Sequence, residues 1–299
     1  MNFNKNFKEI DQQNYFLKPR LNQEQLINLA INCIIIEAKS YPSFGLVSQY
    51  DSGCHKDMNF TTFLASAKTF TNYFQEIYNL VTSDKTLNFS QLRKLGQKQE
   101  ARMYQATNNI NTHKGLIFHY GIIFYIISYQ NYYQTKIRNY QRLIKTFTWS
   151  LKFDFINFNN KTKGEQLYYQ YQITGARGLA LNGYQIIFDD GLKFLKFCQA
   201  NYPKLDQEQL ALLLLVFYLS KIEDTTLISK IGYQKSKAMN EQANQWLKIL
   251  TKSGYDKFYQ TILNNNQRMK IAKISPGGCA DLVVITLFLG EILLNNKEF

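Results

Sequence analysis

Three apolar runs constrain the fold of this 299-residue chain more than any other feature: Leu210 to Leu219, Leu282 to Leu289, and Leu116 to Ile127, which His119 interrupts. All are shorter than the ~20 residues a membrane span needs, so they predict helices buried in a protein core. Other segments are amphipathic with the same period. From Asn22, the apolar positions Leu26, Leu29, Cys33 and Ile36 recur at helical spacing until Pro42 stops the run. The prolines, Pro19, Pro42, Pro203 and Pro276, each stand where one helical pattern has ended or the next has not begun. Strand-like alternation is scarce. The expectation is an all-α fold, one multi-helix domain over residues 1–299 with its cleft at converging helix ends.

Charge narrows the choice of partners. The 35 Lys and Arg against 22 Asp and Glu give a net charge of +13, which suits nucleic acid, an anionic surface or polyphosphate substrates. The densest basic stretch, Lys136 to Lys145 with Arg138 and Arg142, is spread along what reads as a helix from Thr135 to Leu151. No recognisable nucleic-acid module frames it. The N-terminal residues lack the apolar segment of a signal peptide. Cys33, Cys54, Cys198 and Cys279 have neither disulfide-framework nor metal-ligand spacing. These features predict a cytoplasmic protein with small-molecule substrates and neither nucleic acid nor membrane as partner.

Polar chemistry collects between the helical patterns. Glu37 follows Cys33 by four residues and shares its apolar face, where a carboxylate needs a partner or a task. The loop from Tyr41 to Asn59 carries His55 and Asp57, a pairing that suits either a site or a turn. Ser90 reads as the cap of the next helix, on which Gly96, Glu100, Met103 and Thr107 share a face. Asn111-Thr112-His113-Lys114-Gly115 then opens the long apolar helix. A capped helix start points N–H groups at an anion. Lys114 in the first turn opposes the helix dipole unless an anion binds there. The plain alternative is an exposed lysine beside a core histidine.

Later segments repeat the theme. Thr174-Gly175-Ala176-Arg177-Gly178 offers an arginine between glycines, either a phosphate clamp or an ordinary turn. Asp206 and Gln209 form a capping box for a helix reaching Ile222. Glu223 and Asp224 then fall at its negative end, which makes Asp224 a candidate metal or base residue. Ser275-Pro276-Gly277-Gly278-Cys279-Ala280-Asp281 leads into a helix from Leu282 to Leu294, with Asp281 either a first-turn acid or a cation ligand. No P-loop or dinucleotide fingerprint occurs in the sequence.

Five blocks in order, Gly45 to Ala67, Glu100 to Phe118, Thr174 to Tyr184, Leu219 to Thr226 and Ser275 to Leu289, resemble the triphosphoribosyl-dephospho-CoA synthase family. That family makes the prosthetic-group precursor of citrate lyase or, in a related branch, malonate decarboxylase. The resemblance implies transfer of the triphosphoribosyl group of ATP to the 2′-hydroxyl of 3′-dephospho-CoA, with release of adenine. It implies Mg2+, and a product handed to the enzyme that loads the citrate lyase acyl carrier protein. Under it, Asp57, Asp224 and Asp281 are candidates for cation binding, and Glu37, Glu100 and His113 for acid and base. His55, Thr112, Lys114, Gly115, Arg177, Gly178, Ser275, Gly277 and Gly278 are candidates for substrate and phosphate binding. The chain departs from the family pattern at Ser43, Leu179, Thr226 and Cys279, where Lys, Glu, Asn and Ser are usual. The alternatives are another ATP-dependent transferase, such as a phosphotransferase, on the same scaffold, or a non-catalytic basic helical protein.

Overall fold

The computed structural model describes residues 21–84, 86–156 and 162–294; Pro19 lies outside them. Among the described residues there is no strand, and no helix is long and apolar enough to cross a membrane. Short polar side chains set where the helices begin. Asn22 and Gln25 form a reciprocal box at the start of α1 (Gln23–Lys39), and Asn59 and Thr62 do the same for α2 (Phe60–Ser83). The cap of α3 (Phe89–Ala106) is Asn88, whose side chain accepts from the Gln91 N–H at 3.1 Å. Ser90, the expected cap, is already inside the helix.

α4 (Lys114–Tyr133) follows, buried around nearly its whole circumference. The helix expected over Thr135 to Leu151 is instead α5 (Tyr140–Phe147) and a 3-10 segment, Trp149–Phe155. The Thr148 hydroxyl donates to the Ile144 and Ala180 carbonyls where α5 ends, a side-chain competition that stops helices. α6 (Lys163–Tyr171) and the short α7 (Gly175–Leu181) come next. A π-helical turn, Ile186–Gly191, leads into α8 (Leu192–Asn201).

The Asp206–Gln209 capping box opens α9 (Gln207–Leu219) as expected. α10 (Thr225–Ile231) was not legible in the sequence. The polar patterns after it form two helical segments that meet at Gly254 within α11 (Tyr233–Ile271), where the backbone leaves helical geometry with a φ of 81° that glycine adopts without strain. α12 begins at Gly277, five residues before the expected start, and runs to Leu293.

α12 is the central element: it packs against α1, α4, α8, α9 and α10. The apolar runs meet there as predicted. Phe288 of α12 contacts Tyr120 and Phe124 of α4, with ring centroids 5.2 and 6.1 Å apart. Buried polar groups are paired across the same core, the Tyr218 hydroxyl with Thr286 at 2.5 Å and His119 Nδ1 with the Tyr184 hydroxyl at 2.9 Å. Burial of these faces, at about 25 cal/mol per Å² of apolar surface, fixes the helix starts relative to one another.

Candidate active site

The starts of α4, α7, α10 and α12 come together, and glycines permit the approach. A Cβ placed on Gly115 of α4 would lie 2.2 Å from Asp281 Oδ2 on α12. One on Gly278 of α12 would lie 3.2 Å from the Asp224 carboxyl, and one on Gly277 3.3 Å from the Thr226 methyl. One on Gly175 of α7 would lie 3.1 Å from the Thr225 methyl on α10. These contacts link the four starts in the order α4, α12, α10, α7. Helix N-termini carry partial positive charge, so their gathering favours an anion nearby.

Beside them lies a cavity of about 410 Å³, within the range of small-molecule sites. Glu100, Lys114, Gly115, Thr174, Arg177 and Thr225 contribute to its wall. Lys114 Nζ is 2.5 Å from Glu100 Oε1. Arg177 Nε is 3.1 Å from Asp154 Oδ2, which Arg93 also grips through a two-pronged pair at 3.1 and 2.6 Å. Glu165 Oε1 is 3.8 Å from Arg177 Nη2. Glu100 was expected to face the interior, but its side chain is 31% exposed and paired. Arg93, Asp154 and Glu165 are site residues that the sequence did not single out, because no motif or periodicity distinguishes them from surface charges.

Asp224 corrects its sequence reading. It is 2% exposed and caps the start of α10, where it was expected at the unfavourable end of α9. Its Oδ1 accepts from the Leu227 N–H at 2.9 Å and its Oδ2 from the Cys279 N–H at 2.8 Å. One carboxylate thus staples two helix starts.

A partly buried acidic pair, Asp281 and Glu37, interacts with this staple. Burial raises the Asp281 carboxyl well above its ordinary range, and the charges of Asp224 and Glu37 add to the effect. Burial pushes Glu37 up to about 7. A carboxyl whose folded value exceeds its unfolded one binds more protons in the folded state, so its contribution to stability is lost as pH rises towards 7. Glu37→Gln should therefore flatten the fall in melting temperature between pH 5 and 8 in magnesium-free buffer, with the variant more stable than the parent at pH 8. Parallel melting curves across that range would contradict this.

The remaining expected residues are scattered more widely. His113 is 4% exposed, packed between Phe63 and Phe70, with Nδ1 2.7 Å from the Ser66 hydroxyl. Burial lowers its pKa to about 3, so it stays neutral, away from the cavity wall. Thr112 donates to Ser66 at 2.8 Å, and Asn111 accepts from the Lys114 N–H at 3.3 Å. Gly178 faces Thr174, whose hydroxyl a Cβ would strike at 1.8 Å. Leu179 packs on the core. His55 contacts Ser275 at 3.2 Å. Asp57 is 62% exposed and 3.9 Å from His55. Asp57, Asp224 and Asp281 do not assemble as a metal-ligand group: among the described residues no three His, Cys, Asp or Glu side chains do.

The site of this all-helical protein thus gathers helix starts and cations at a cavity, with acidic groups of raised pKa close to those starts. The chain belongs to the ATP:dephospho-CoA triphosphoribosyl transferase family, whose model matches residues 23–298. It is 31% identical over 281 residues to a probable 2-(5″-triphosphoribosyl)-3′-dephosphocoenzyme-A synthase of Streptococcus pyogenes serotype M1, covering 87% of this chain and 94% of that one. It is also 31% identical over 290 residues to Protein CitXG of Leuconostoc mesenteroides subsp. cremoris. That match covers 92% of this chain and spans 60% of the longer relative. No solved structure matches.

Proposed function

We propose that this chain, as one catalytic domain, transfers the triphosphoribosyl group of ATP to the 2′-hydroxyl of 3′-dephospho-CoA. The acceptor oxygen bonds to C1′ of the ATP ribose as the bond to adenine N9 breaks. The hydroxyl proton leaves to a base, and adenine gains a proton as it departs. The triphosphate is carried over intact, so the site must grip it without cleaving it. The observation that carries this reading is the convergence of four helix starts beside a cavity with Lys114 and Arg177 in its wall. Both cations are paired with carboxylates, and a polyphosphate would replace those partners.

Glu37 is the acid–base residue its raised pKa favours, because a carboxyl poised near 7 can both take and give a proton; it lies outside the cavity wall and acts electrostatically on Asp281. Glu100 is engaged by Lys114, and His113 is sealed behind Phe63 and Phe70. Magnesium bound to ATP takes most of its ligands from phosphate and water and needs only one or two carboxylates. Asp281 fits that role, since the repulsion it feels from Asp224 and Glu37 is what a cation relieves. The ion would supply charge neutralisation for the triphosphate.

The product would serve as prosthetic-group precursor for the citrate lyase acyl carrier protein, in the cytoplasm. Incubation with ATP, magnesium and 3′-dephospho-CoA should release free adenine, resolved chromatographically from other bases. Formation of ADP or AMP in its place would mean phosphoryl or nucleotidyl transfer.

A further inference from the structure

A second polar cluster lies on the far part of α10, outside the wall of the cavity. Lys230 Nζ is 3.2 Å from His55 Nε2 and 4.0 Å from Cys54 Sγ, and the same His55 nitrogen is 3.2 Å from the Ser275 hydroxyl. Ser275 is 1% exposed. The cluster therefore joins the tip of α10, the loop before α2 and the segment leading into α12.

Its charge is balanced only from a distance. Lys114, Arg93 and Arg177 each have a carboxylate partner. Lys230 has no carboxylate within 4 Å among the described residues; Asp224 and Asp57 attract it from farther away, and Lys163 on α6 opposes them more weakly. Loss of water lowers its pKa more than any neighbour raises it. The exposed Lys230 ammonium spends one of its three N–H groups on the His55 nitrogen, so donors remain for an acceptor from solvent.

We infer that Lys230, His55 and Ser275 form a second anion site, which takes the diphosphate of the acceptor nucleotide. This rests on the proposed transfer, which brings two polyphosphate chains together, one carrying three phosphates and the other two. They repel, so each needs its own cations. α10 spans the two sites: Thr225 at its start faces the cavity, and Lys230 lies five residues on, about 7–8 Å along the axis. That span is comparable with the separation of a ribose 2′-hydroxyl from its 5′-phosphate. An acceptor bound at Lys230 would have its hydroxyl within reach of the cavity wall at Thr225.

The test is calorimetric binding of 3′-dephospho-CoA to the full chain without ATP, followed by steady-state kinetics. Lys230→Ala should weaken acceptor binding and raise the acceptor KM by about 10-fold or more, leave the KM for ATP within twofold, and lose inhibition by inorganic diphosphate competitive with the acceptor. Lys230→Arg should restore most of the loss. Unchanged acceptor affinity, or a rise confined to the KM for ATP, would overturn the assignment. Because the binding arm needs no turnover, it separates failure of this site from failure of the transferase reading: a chain that binds dephospho-CoA through Lys230 yet releases no adenine would retain the site and lose the reaction.

Discussion

Gly115→Ala should cut turnover by about 100-fold or more while leaving the protein at least as stable as the parent. A Cβ at this position would lie 2.2 Å from Asp281 Oδ2, so the carboxylate must swing away from the start of α4. Displacing a site group by an ångström can cost about 10²-fold in rate. The substitution also exchanges glycine for alanine in the first turn of a helix, a change that favours helix by up to about 1 kcal/mol. Rate and stability therefore move in opposite directions, which distinguishes a displaced functional group from a damaged fold. Near-parental adenine release by a well-folded Gly115→Ala protein would remove Asp281 from the account.

Asp224→Ala should behave differently and lose both stability and activity. The side chain satisfies the buried N–H of Leu227 and that of Cys279, one at each of two helix starts. Losing an N-cap costs about 1 kcal/mol, up to 2 in protein hosts, and stranding a buried donor costs about 1–3 kcal/mol. Asp224 is itself desolvated, which offsets part of the loss and leaves roughly 2–4 kcal/mol. At 2–4 °C per kcal/mol for a chain of this size class, the melting temperature should fall by about 5–15 °C. Asp224→Asn keeps an oxygen for Leu227 but turns an amide towards the Cys279 N–H, so it should recover only part of the stability. An Asp224→Ala protein that melts like the parent while losing activity would point instead to a direct ligand role.

The contrast between these residues shows what the sequence makes legible. The buried helices α4, α9 and α12 are visible because long apolar runs leave few alternatives in a soluble core. Lys114 and Gly115 stand out by their position at a helix start and Arg177 by the glycines around it, and all three line the cavity. α10 is only seven residues long and follows an apolar helix after five residues. Its absence from the sequence reading put Asp224 at the wrong end of the wrong helix. The resemblance makes His113 a candidate acid or base while the segment alone leaves a core histidine open; its neighbours in space are Phe63 and Phe70. Asp154, Glu165 and Lys230 carry no local signal, since their partners are supplied by tertiary packing.

Leu179 illustrates the same point from the family side. A carboxylate is usual at this position, yet here the side chain packs against the core from α7 and does not line the cavity. The cavity's own carboxylates, Glu100, Asp154 and Glu165, come from other elements.

The central claim is that the site grips a triphosphate and moves the ribosyl carbon without breaking a phosphate bond. Mass analysis of the acceptor product tests it most directly, with ATP carrying heavy oxygen in its γ-phosphate. The account predicts an acceptor heavier by one complete triphosphoribosyl unit that retains all of the γ-phosphate label, formed in equal amount with adenine. An acceptor that gains only a phosphoryl or adenylyl group, or label recovered in free phosphate, would contradict it.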